Sequence, residues 1–163
     1  MPYHVYKFRR MKTLMVSASL LLCFTVLWLS GKEMSVEKEE LTIKDMKLKI
    51  SFGDTELTAT LYDNPTSRDL TSMLPITTEL EDYASNEKIF YPERKLTKDG
   101  APGGYEPSKG DITYYAPWGD VAIFYKDFSY SSGLIALGRI ENNGIEKLRS
   151  VGSQLVTFEL IEE

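Results

Sequence analysis

Residues 46–163 predict a mainly β fold, a closed antiparallel barrel of about eight short strands with two short capping helices. Three observations lead there: apolar residues alternate with period two, turn signals interrupt the alternation at short intervals, and helix-start signals occur only twice, once near each end. Leu48, Ile50 and Phe52 alternate with Lys47, Lys49 and Ser51, the pattern of a half-buried strand. Gly53-Asp54 turns the chain, and Leu57, Ala59 and Leu61 continue the alternation, so the two runs form an antiparallel hairpin. Asp63-Asn64-Pro65 stops the second strand, because proline has no N–H to give to a ladder. Thr66 with Asp69 three places on reads as a capping box for a helix through Leu70 to Leu74, ended by Pro75. Further strands are expected over 76–80, 88–91, 111–116, 121–125, 134–140 and 154–160. The Gly- and Pro-rich stretch 97–109 predicts an exposed loop. Asn142-Asn143-Gly144 turns the chain again, and Asn143 with Glu146 is expected to cap a second helix ending near Val151.

An N-terminal hydrophobic helix is expected ahead of this domain. Lys7, Arg9, Arg10 and Lys12 precede an uncharged run, residues 13–29, that as a helix spans roughly 25 Å at 1.5 Å per residue. Residues 1–31 thus read as a signal anchor, or as a signal peptide that is removed. Basic residues before the run favour a cytoplasmic N-terminus. The membrane is then a partner through residues 13–29, with the domain facing outward at the cell membrane, or secreted after cleavage. Met11-Lys12-Thr13 reads equally as the start of such a segment. Residues 32–45 carry eight charges in fourteen positions and read as a stalk.

Composition excludes several functions. The chain has 163 residues and a formal charge of −5, with one cysteine, Cys23, and one histidine, His4, both ahead of residue 32. A disulfide framework, a multi-cysteine metal site, a Ser-His-Asp triad and histidine-based zinc coordination in the domain are ruled out. The reading calls for no cofactor and no metal. With twelve basic against nineteen acidic residues, residues 46–163 carry −7, which argues against nucleic acid as a partner. Ser85 and Lys88 have the Ser-x-x-Lys spacing of penicillin-interacting enzymes, but the residues after them read as strand, not helix. Glu79, Glu81 and Asp82 read as a solvated strand face.

Several segments resemble a known family. LTATLYDNPTSRDLTSMLP is similar to a barrel strand and first helix of cyclophilins, the peptidyl-prolyl isomerases. GLIALGRIENNGIEKLRSV resembles their strand, turn and second helix, with Leu137-Gly138-Arg139-Ile140 in place of a Phe-Gly-Lys-Val pattern. GDITYYAPWGDVAIFYKD resembles the strand pair that walls the isomerase groove. More closely, LYDNPTS, LEDY, NEKI, the GAP-Gly loop and YYAPWG resemble a bacterial cyclophilin-like domain family, mostly without assigned activity, some of whose members are joined to flavodoxin-type domains.

The resemblance implies candidate site residues. Cyclophilins place an arginine over the proline amide to weaken its double-bond character, and hold the ring in an apolar pocket. The counterpart stretch here is Ile89-Phe90-Tyr91-Pro92-Glu93-Arg94, which makes Arg94 the candidate catalytic residue. Phe124 and Tyr125 match the wall strand. The glutamine-bearing segment that orients substrate in the isomerases is missing, and Trp118-Gly119 occupies that stretch. From the residues themselves, seven aromatics fall within seventeen positions, 114–130, enough for a groove that stacks on a ligand as well as for core packing. The expected groove residues are Tyr91, Tyr115, Trp118, Phe124, Tyr125 and Tyr130, with Trp118 and Tyr130 exposed beside turns. The function expected is a non-catalytic module binding a peptide segment or a small apolar ligand. Its alternatives are a prolyl isomerase acting on exported proteins and an accessory to flavodoxin-linked redox chemistry.

Overall fold

Residues 46–161 are the ones described by the structure, a computed structural model. Alternation sets the first hairpin: β1 (Lys47–Phe52) and β2 (Thr55–Leu61) pair antiparallel, with Ile50 opposite Leu57 and Leu48 opposite Ala59. These four side chains are buried, while Lys47, Lys49 and Ser51 on the other face are half-buried. Each fully enclosed aliphatic chain contributes about 1.5–3 kcal/mol, so a register slip that turned this face outward would be strongly disfavoured.

The remaining strands are β3 (Ile76–Glu79), β4 (Glu81–Tyr83), β5 (Glu87–Phe90), β6 (Gly104–Tyr105), β7 (Asp111–Tyr115), β8 (Asp120–Phe124), β9 (Ser131–Ser132), β10 (Leu134–Ile140) and β11 (Leu155–Ile161). Nine of the eleven described strands form one antiparallel sheet in the order β3-β11-β1-β2-β10-β7-β8-β5-β4, and β6 pairs with β9 as a small separate ribbon. The two ends of the large sheet, β3 and β4, are separated in sequence by Leu80 alone. A sheet whose first and last strands are so joined must curl back on itself, which makes a nearly closed barrel. Its interior holds Leu48, Ile50, Leu61, Ile112, Tyr114, Val121, Ile123, Leu137, Val156 and Phe158, all buried. At Gly138 in β10 a Cβ would lie 2.4 Å from the Thr60 carbonyl oxygen, so only glycine lets β10 approach β2 there.

The helices are α1 (Pro65–Thr71) and α2 (Ile145–Arg149). They contribute Leu70, and Ile145 with Leu148, to the barrel core. Their caps differ from expectation. Asn64, not Thr66, caps α1: its Oδ1 accepts from the Ser67 N–H at 2.8 Å, its Nδ2 donates to the Ala136 carbonyl, and Pro65 opens the first turn. Asp69 instead accepts from the Thr97 N–H and from Arg94. Asn143 gives α2 no side-chain cap, because Asn142 and Asn143 lie at φ 51° and 56° in the turn before it.

Three strands exceed the expected eight: β4, β6 and β9. β6 lies in the stretch 97–109 expected as a loop, and β9 directly follows the aromatic-rich stretch 114–130. Among the described residues no helix is long and apolar enough to cross a membrane. The N-terminal helix expected over residues 13–29 lies outside the described residues. The transmembrane and signal-peptide assignments, the membrane as a partner and the cell-surface location drawn from them are without structural support and are withdrawn.

Candidate functional site

In a barrel the outward face of a strand ordinarily meets water, yet all five residues of β8 are buried. Val121 and Ile123 point into the barrel. Asp120, Ala122 and Phe124 point outward, and Ala122 and Phe124 join Ile89 and Leu134 in a second apolar cluster against which Tyr105 and Tyr115 pack. The cover over this wall is a groove of about 250 Å³. Ala122, Phe124 and Leu134 form its floor, Tyr83, Tyr115, Trp118 and Phe128 its aromatic sides, and Glu87, Asp120 and Ser131 its polar lining.

Each part is placed by its local sequence. The Ala116-Pro117-Trp118-Gly119 turn joins β7 to β8, closed by the Gly119 N–H donating to the Tyr115 carbonyl at 2.8 Å. Gly119 sits at φ +88°, a conformation that a side chain would strain. This turn holds Trp118 half in solvent, with its ring 5.4 Å from both Tyr83 and Tyr115 and nearly perpendicular to each. Phe128 is held over Phe124 at 6.0 Å between centroids. Its N–H donates to the Pro107 carbonyl, and the neighbouring Asp127 accepts from the Lys109 N–H, so the 97–109 loop fixes that side of the groove. The loop itself is anchored by Asp111, fully buried, which accepts from the Tyr105 hydroxyl, the Ser108 N–H and Arg139.

The two carboxyls carry the electrostatic character. Burial, reinforced by the Asp120 charge, pushes Glu87 up to about 7. Burial also raises Asp120, against a hydrogen bond from its own backbone. Asp120 is only 2% exposed, and its Oδ1 is buried with no hydrogen-bond partner among the described residues. Among the described residues no basic side chain lines the groove.

The structure brings Tyr115, Trp118 and Phe124 together there. It places the other expected groove residues elsewhere. Tyr125 follows Phe124 and so faces the opposite way, into the barrel, where its hydroxyl donates to Asp82 and Arg149 stacks on its ring. Tyr91 and Tyr130 are exposed, and the Tyr130 hydroxyl lies against Gly104. Arg94 forks the Asp69 carboxylate of α1, at 2.9 and 2.5 Å, and bonds Ser72. Ser85 sits at φ 55° in the β4–β5 turn, and Lys88 is buried with its ammonium on the Val151 carbonyl and Asp82. Sequence reasoning missed Glu87 and Asp120, although continuing the alternation of Phe124 and Ala122 by one step places Asp120 on the same face.

Residues 50–159 match the cyclophilin-like family. This chain belongs to that family. Among solved structures it is similar to the hypothetical protein AF2241 from Archaeoglobus fulgidus, determined in solution, at 23% identity and a TM-score of 0.57 over 74% of this chain and 98% of that one. That similarity shows a shared fold. The family shown is the cyclophilin-like one, without the bacterial restriction of the sequence reading. No curated protein matches the chain.

Proposed function

We propose that the outer-wall groove of this cyclophilin-like domain is a binding site for a peptide segment or a small apolar ligand, and that the domain acts by binding rather than by catalysis. The observation that carries this reading is Trp118, half-exposed yet held edge-on between Tyr83 and Tyr115 above an apolar floor. Large aromatics left partly open over a concave apolar surface are the usual makings of a small-ligand site. Prolyl isomerisation asks for a cationic donor over the bound amide. The charged groups lining this groove are carboxyls, and Arg94 is engaged by Asp69, which favours binding over the isomerase alternative.

The test is an NMR titration of the full-length protein with a proline-containing tetrapeptide and with 2-phenylethanol as a small apolar probe. Shifts confined to Tyr83, Tyr115, Trp118, Phe124, Phe128 and Leu134 support the reading. An absence of shifts there at millimolar probe overturns it. A parallel isomerase assay compares wild type with Arg94→Ala, and background rates in both remove the enzyme alternative.

A further inference from the structure

The Asp120 carboxyl is out of place in an apolar groove. A buried acceptor without a donor costs about 1–3 kcal/mol, more when charged, so a group of this kind is retained where something supplies the missing donor. Asp120 lines the groove at 2% exposure with Oδ1 unpartnered, and Glu87 lines the same groove. The missing partner is therefore a hydrogen-bond donor, and beside two carboxyls it is most favourable as a cation.

The surrounding rings fit the same chemistry. Trp118 meets Tyr83 and Tyr115 at 86° and 78°, so its ring stands nearly perpendicular to two others along one side of the groove. Alkylammonium groups are held in such aromatic corners by the negative faces of the rings, within about 6 Å of a ring centroid. Other titratable groups stand outside the lining: Glu81 on β4, and Tyr91 and Lys95 beyond β5, where the stem of Lys95 lies over Gly119.

We propose that the groove takes a protonated primary or secondary amine, whose N–H groups meet the Asp120 and Glu87 carboxyls while its apolar stem lies against Trp118, Tyr115 and Phe124. A quaternary ammonium has the charge but no N–H, and leaves Oδ1 unpaired. This inference rests on the groove being a binding site and names the ligand class it serves. The charge of the amine also favours the ionised form of both carboxyls.

Calorimetric titration of the full-length protein at pH 8 tests it with three probes of one skeleton: phenethylammonium, its trimethylated analogue and 2-phenylethanol. The amine is expected to bind at least tenfold tighter than the other two, and Asp120→Asn to lose at least tenfold for the amine alone. Glu87→Gln serves as the second variant if Asp120→Asn does not fold. A blocked lysine pentapeptide and its norleucine counterpart distinguish sources: a tenfold preference for lysine supports a peptide side chain, and binding of the free amine alone supports a small molecule. Equal affinity for amine and alcohol, or an unchanged amine affinity in a folded Asp120→Asn protein, overturns the inference and leaves the groove as an apolar site. No binding by any probe overturns the inference and the binding reading together.

Discussion

Replacing Glu87 by glutamine removes a carboxyl that the fold holds in an unfavourable place. Its folded-state value lies near 7 against an ordinary 4.5. The folded protein therefore binds this proton more tightly than the unfolded chain does. Between about pH 4.5 and 7 the folded state carries more protons, so stability falls as pH rises through that window and is level above it. One unit corresponds to about 1.4 kcal/mol, which would make roughly 3 kcal/mol in a fully enclosed site. Glu87 is only partly buried, and screening by solvent reduces this to about 1–2 kcal/mol. Glu87→Gln has nothing to titrate there. It should match wild type at pH 5 and exceed it by about 1–2 kcal/mol at pH 8. Asp69, Asp82, Glu141 and Glu146 are shifted the other way by hydrogen-bonding or ion-pair partners, so their contributions are lost in more acid solution and do not overlap this window. Urea unfolding at pH 5 and pH 8 with a common m-value measures the difference. Equal gaps between the two proteins at both pH values would refute the account of Glu87.

Gly138→Ala drives a methyl group into the Thr60 carbonyl and the Leu61 backbone; a loss of about 2–4 kcal/mol is expected, read as a lower urea midpoint. Asn64→Ala removes the α1 cap and the bond to Ala136, and should cost about 1–2 kcal/mol in the same assay. Arg94→Ala breaks an exposed ion pair with Asp69; thermal melts should show at most about 1 kcal/mol of destabilisation, and groove affinity for 2-phenylethanol should be unchanged.

The parts of the fold that alternate were legible in the sequence. Leu48, Ile50 and Phe52, or Leu57, Ala59 and Leu61, declare both their strand and their buried face, because period two has one reading when one side is wet. Gly104-Tyr105 and Ser131-Ser132 declare nothing. Two residues have no period, and they pair only because the Asp111 network lays their loop beside the 126–133 segment. Caps were ambiguous for a related reason: Asn64 and Thr66 are both competent, and the Ala136 carbonyl that rewards Asn64 is distant in sequence. In the groove, Tyr115, Trp118 and Phe124 stood out by aromatic density. Density ignores strand parity, however, and so it also drew in Tyr125, which faces the core. Asp120 and Glu87 each lie one residue outside the strand that apolar content marks, at Val121 and Lys88, and their meaning depends on what encloses them.

Leu80 joins the two ends of the large sheet, and this governs how copies of the protein meet. Unpaired strand edges invite a neighbouring molecule to add its own backbone, the first step of most β-rich aggregation. Among the described residues the edges of the main sheet are β3 and β4, which are four and three residues long and belong to one stretch of chain. Neither offers enough backbone to template an incoming strand, and their exposed Thr77, Glu79, Glu81 and Asp82 set polar and charged groups along the seam. Strand-by-strand polymerisation is thereby disfavoured while the barrel stays folded, and the outer wall can keep its aromatic groove open to solvent without the sheet edge becoming a second sticky surface.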